Sequence, residues 1–71
     1  MSRPRSVTAG TPLPRKIGRP ATAALTLAGY DRLERLDGAS ATELLRLHGV
    51  GPTAIARLRD ALAAAGRSFR D

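Results

Sequence analysis

The apolar residues of this chain recur at helical spacing and nowhere at strand spacing. Ala21, Ala24, Leu25 and Ala28 make a narrow apolar stripe that opens with Gly18-Arg19-Pro20, an entry signal, and closes at Gly29, a C′ glycine. Tyr30 follows as an expected buried anchor. Leu33 and Leu36 then face inward in a short helix that begins with the Asp31/Glu34 spacing of a capping box and stops at Gly38. Ser40-Ala41-Thr42-Glu43 is a stronger capping box, and the helix it opens is expected to bury Leu44, Leu45 and Leu47. The longest helix starts at Pro52, with Ile55, Leu58 and Leu62 on its apolar face beside Ala54, Ala61 and Ala65. Gly66 ends it, and Phe69 is placed to fold back over the core. Val, Ile and Thr are too scattered for a strand. The pattern predicts an all-α domain of four helices over residues 17–71.

Residues 1–16 break the pattern. They hold Pro4, Pro12, Pro14, Gly10 and several Ser and Thr, with Val7 and Leu13 the only larger apolar residues after Met1. So little apolar surface does not offset the entropy of ordering, and the segment reads as a disordered arm. It is also basic. Arg3, Arg5, Arg15, Lys16 and Arg19 are accompanied by no acid through residue 20, whereas the remaining residues hold seven arginines against six acids. The net charge of +6 and the isoelectric point near 11.6 therefore come from the leader, and both favour an anionic partner.

Composition removes several function classes. With 71 residues there is room for one small domain, and without cysteine there is neither a disulfide framework nor a thiolate metal site. No apolar run approaches a membrane span or a secretory segment, so a cytoplasmic protein is the default expectation. No nucleophile–base pair, carboxylate cluster or metal-ligand set stands out, so neither catalysis nor a cofactor, metal or small-molecule substrate is expected.

The chemistry concentrates in Leu47-His48-Gly49-Val50-Gly51-Pro52, a tight turn between two helices. Gly49 and Gly51 can both take positive φ, Val50 can turn inward to pin the loop, and Pro52 suits a first helical position. Amides of Gly49, Gly51, Thr53 and Ala54 could then face a phosphate at a helix N-terminus, with the Thr53 hydroxyl and the Arg57 side chain one turn on. Pro52 donates nothing and leaves a gap in that row. The competing reading is that two glycines only let two helices meet closely. His48 is the one histidine and reads as a helix-end cap. Arg32, Arg35 and Arg46 stand near Asp31, Glu34, Asp37 and Glu43 and read as solvated faces with weak ion pairs. Arg67 and Arg70 follow the last helix, where cations suit its dipole. A faint repeat, Leu25 to Gly29-Tyr30 and Leu45 to Gly49-Val50, suggests two related helical hairpins. Asp31 follows the first, so only the second suits an anion.

Residues 43–55, through Leu47-His48-Gly49-Val50-Gly51-Pro52-Thr53-Ala54-Ile55, resemble a helix-hairpin-helix motif. The span 17–69, about three quarters of the chain, resembles the C-terminal domain of the bacterial RNA polymerase α subunit. The entry helix, the Ala28-Gly29-Tyr30 corner, the capping box, the hairpin and the closing Gly66-Arg67-Ser68-Phe69 come in the same order. The resemblance implies a compact four-to-five-helix domain that binds duplex DNA at the minor groove and its phosphates, with Gly51 as the glycine whose backbone lies against DNA. Such hairpins can also hold a monovalent cation on their carbonyls, which the sequence leaves undecided. Pro52 and Thr53 stand where that family has lysines, Ala54 where it has a serine, and Pro20 and Ala23 where its first helix carries a groove-reading arginine and asparagine. Together the residues and the resemblance point to phosphate contact largely without sequence preference, through Gly49, Val50, Gly51, Thr53, Ala54 and Arg57 with Arg15, Lys16 and Arg19 of the basic leader. The alternative is a protein-interaction module that docks on transcription machinery or self-associates. RNA in place of DNA is a third reading, and the scarcity of aromatic residues argues mildly against single strands.

Overall fold

The computed structural model describes residues 10–71, and among them there are three α-helices and no strand. Helix α1 is Arg19–Leu27, α2 is Ala41–Leu44 and α3 is Pro52–Ala64, with single 3-10 turns at Arg15–Ile17 and Leu33–Leu36. The described residues therefore hold fewer α-helices than the four or five expected. Leu33 and Leu36 are buried as expected, but they sit on a 3-10 turn. Its capping box does not form: Asp31 pairs with Arg35 at 3.0 Å, Glu34 turns to Thr11, and the turn has no side-chain cap. One turn closed without its cap tightens into i→i+3 bonds.

The core is mostly leucine and alanine, with Ile17, Val50 and Ile55, closed by one ring. Leu25, Leu36, Leu58 and Leu62 are fully excluded from water, and Leu44, Ile55, Ala21 and Phe69 pack around them. Phe69 does cover the core, and Tyr30 is only half-buried. Leu45 is 43% exposed, against expectation, and Leu47 half-buried. Helix α2 is one turn long, so it offers the core two positions, which Ala41 and Leu44 fill. Ala28 is exposed too, because the chain has already left α1 there. Gly29, at φ +95°, lets Tyr30 N–H return to the Leu25 carbonyl at 2.7 Å, which closes the helix.

Two flanking segments are tied down by polar contacts. Residues 10–16, expected within a disordered arm, pack on the domain: Thr11 is bonded to Glu34 and Leu33, and Leu13 packs on the core. Residues 1–9 of that arm lie outside the described residues. At the other end, Asp71 caps α2. Its carboxylate accepts Ala41 N–H at 2.6 Å and the Ser40 hydroxyl at 2.9 Å, while Ser40 Oγ accepts Glu43 N–H at 3.2 Å. Arg67 pairs with Asp37 at 3.1 Å, and Gly38 N–H donates to Ser68 O at 2.8 Å.

These contacts make acid stability testable. The Ser40 hydroxyl, then the Ala41 amide, hold the Asp71 carboxyl at about 2 against an ordinary 3.8. The Thr11 amide and hydroxyl likewise hold Glu34 below its usual value. Because both values are lower in the folded state, the unfolded chain binds more protons in acid. Their contribution is complete above about pH 5 and is lost as the pH falls toward 2. The melting temperature should accordingly drop along that limb, and Asp71→Asn should melt lower at pH 7 with a flatter acid limb. Parallel acid limbs for the two proteins would show that the cap contributes nothing.

Candidate nucleic-acid interface

The turn between α2 and α3 is held from within. Val50 is buried, as expected, and its N–H donates to the Leu47 carbonyl at 3.1 Å. The two glycines then diverge. Gly49 has φ +102°, and a Cβ there would stand 2.9 Å from the Pro20 carbonyl oxygen and 3.6 Å from Ala24 Cβ. It faces inward and seats the turn on the first turn of α1. Gly51 does not take positive φ. It is extended at φ −114° and ψ −179° as the N-cap of α3, with nothing within 4 Å of a Cβ position. Close helix approach is thus the work of Gly49, while Gly51 leaves open space.

A glycine N-cap has consequences for the amides behind it. It offers no side-chain oxygen, so Thr53 and Ala54 N–H have no capping acceptor, and the first backbone bond, from Ile55 N–H to Gly51 O at 3.1 Å, leaves them behind. Helix α1 repeats this, with Gly18 as N-cap, no side-chain cap and Pro20 in its first turn. Two uncapped helix N-termini therefore lie close together, and their dipoles add positive potential to one end of the molecule. Thr53 is exposed there, but the Ala54 side chain is in the core, so that residue offers only its amide. His48 is exposed in the turn and caps nothing among the described residues.

The cations of the leader meet Arg57 along α3. Arg57 Nη1 donates to the Lys16 carbonyl at 2.8 Å and holds the Arg15–Ile17 turn against the helix. Arg15, Lys16 and Arg57 line an open cavity of about 810 Å³ with Pro14, Ala61 and one acid, Asp60. Arg19 begins α1, one residue before the Pro20 that Gly49 touches. Ion pairs among the described residues fall elsewhere: Asp31 with Arg32 and Arg35, Asp37 with Arg67, and Glu43 with Arg70. Arg59 lies 5.3 Å from the Phe69 ring centroid and donates to the Asp71 carbonyl oxygen. The structure thus makes two groups: Gly49, Val50, Gly51, Thr53 and Ala54 in the turn seated against the start of α1 beside Arg19, and Arg57 with Arg15 and Lys16 more than one turn further along α3. It gives Val50, Ala54 and Gly49 structural places and leaves Gly51, Thr53 and the cations facing outward.

The Thr11–Glu34 contact was not foreseen from sequence. Leu13, a lone apolar residue between two prolines, is the signal that could have found it, because an apolar group on a stiff segment marks a docking point. No cluster of three or more metal-ligating side chains occurs among the described residues. Compared with family models, curated proteins and solved structures, the chain matches none at a significant level.

Proposed function

We propose that this chain is a helix-hairpin-helix module of the polymerase α C-terminal type that grips the phosphate backbone of duplex DNA, largely without regard to base sequence. The observation that carries the reading is a run of exposed cations, Arg15, Lys16 and Arg57, along α3, a helix whose N-terminus is uncapped. Backbone amides and guanidinium groups recognise phosphate and carry no sequence information. Pro20 and Ala23, exposed near the start of α1, have no side-chain donor for a base edge, which leaves Arg19 as the only guanidinium on that helix. Residues 1–9 bring Arg3 and Arg5, which add long-range attraction.

A titration with duplex DNA at low salt tests this by amide shifts. The shifts should concentrate at residues 48–57 and on Arg15, Lys16 and Arg19. If those three cations, with Arg57, neutralise four phosphates, log Kd against log salt should have a slope of magnitude about 3.6. A slope near zero, or no binding at low salt, would sink the reading. Shifts confined to residues before 10 would reduce the protein to an electrostatic tail on an inert domain.

A second reading, a protein-docking or self-associating module, is favoured by Leu27, which is 89% exposed on a helix with no charge after Arg19. Concentration-dependent shifts on α1 without DNA would support it.

A further inference from the structure

Residues 10–17 form a strap along one side of α3, with Pro12 beside Ala64 and Ala65 and Lys16 beside Arg57. Pro12 and Pro14 fix φ within it, Leu13 and Ile17 pack it on the core, and two polar anchors complete the hold. One anchor is Arg57, through the Lys16 carbonyl. The other is Glu34, whose Oε1 accepts Thr11 N–H at 2.7 Å and whose Oε2 accepts the Thr11 hydroxyl at 2.8 Å. Beside them, Leu33 N–H donates to the Thr11 carbonyl at 2.9 Å. Between the anchors the strap delivers Arg15 and Lys16 to the cationic cavity, which Glu34 does not line.

We infer that Glu34, an acid, strengthens the hold on an anionic backbone, because it latches the strap that presents Arg15 and Lys16 beside Arg57. The inference rests on the DNA-binding reading. It runs against simple electrostatics, in which deleting a carboxylate from a DNA-binding surface raises affinity. Unlatched, the strap keeps its charge but must be ordered at the moment of binding, and that ordering is charged against affinity. Glu34 is thus a positioning residue.

Two substitutions separate the latch from the charge. Glu34→Ala and Glu34→Gln each raise the net charge by one. The glutamine keeps a carbonyl to accept Thr11 N–H and an amide that can donate to the Thr11 hydroxyl oxygen, whereas the alanine keeps neither. With the full chain and a short duplex at low salt, Glu34→Ala should bind about fivefold more weakly than the parent, the cost of two long side chains no longer held. In free Glu34→Ala, amides 11–16 should move to unstructured positions while those of α3 stay. Glu34→Gln should bind as tightly as the parent or more tightly. Thr11→Val, which changes no charge, should weaken binding about twofold, and it carries the test should Glu34→Ala fail to fold. Binding by Glu34→Ala equal to or tighter than the parent overturns the latch, as does an undiminished Thr11→Val. If the parent itself does not bind, the DNA reading and the latch fall together. If the parent binds and the variants are unimpaired, only the latch falls.

Discussion

Gly49→Ala should cost about 3 kcal/mol of stability and weaken duplex binding with it, whereas Gly51→Ala should leave the fold within about 0.5 kcal/mol of the parent. The two glycines are two residues apart and fail for different reasons. At Gly49 a Cβ would sit at φ +102° and 2.9 Å from the Pro20 carbonyl oxygen, a backbone atom that cannot swing aside. Relieving it means lifting the turn off α1, which separates the two helix N-termini that make the candidate interface. At Gly51 the backbone is extended and the space is open, so a methyl group fits. A larger side chain there, as in Gly51→Leu, should keep the melting temperature and reduce binding, because it would stand between the Thr53 amide and an approaching phosphate. Urea midpoints and anisotropy on the same set of variants check both halves. An intact Gly49→Ala fold, or an intact Gly51→Leu affinity, would contradict the division of labour between the two glycines.

Leu58→Ala should remove about 3–4 kcal/mol, a third or more of the stability of the domain. A domain of this size has roughly 3–9 kcal/mol in all. Leu58 is fully buried on α3, with Ile55 and Leu62 on the same face and Leu25 and Leu36 among the core side chains. There is no disulfide to limit the unfolded chain and no cluster of metal ligands among the described residues, so the loss of one central leucine has nothing to offset it. Leu27→Ala is the matched control. The same deletion on an 89% exposed residue should change stability by less than about 0.5 kcal/mol. Thermal melts followed by circular dichroism distinguish the two, and a melting temperature for Leu58→Ala equal to the parent's would show that the core is not centred there.

The parts of this fold that were legible in sequence are those set by periodicity and by residues with one conformational use. Leu25, Leu58 and Leu62 lie on stripes that only a helix makes, Pro20 and Pro52 mark first turns, and Gly29 and Gly66 mark last ones. What was not legible depends on partners far along the chain. Ser40 announces a helix, but its length is one turn because the core takes only Ala41 and Leu44, and nothing local states that. Glu34 has the spacing of a cap yet bonds Thr11, twenty-three residues earlier, because that residue offers it two donors. For the candidate site, residue types pointed to the turn and to the cations separately. Only the packing of Gly49 on Pro20 places the first, and only the bond from Arg57 to Lys16 places the second along α3.

The uneven pairing of charge has a kinetic consequence. Where Asp31, Asp37 and Glu43 meet arginines, the field cancels within a few ångströms, while Arg15, Lys16 and Arg57 share a cavity with one acid, Asp60, and Arg19 and Arg46 are in no ion pair among the described residues. The molecule is therefore an electric dipole as well as a cation. In the field of a polyanion it experiences a torque before it touches anything, and it arrives with its more cationic side first. Rotational search, which ordinarily limits how often an encounter becomes a complex, is shortened, and added salt should slow arrival far more than it hastens departure.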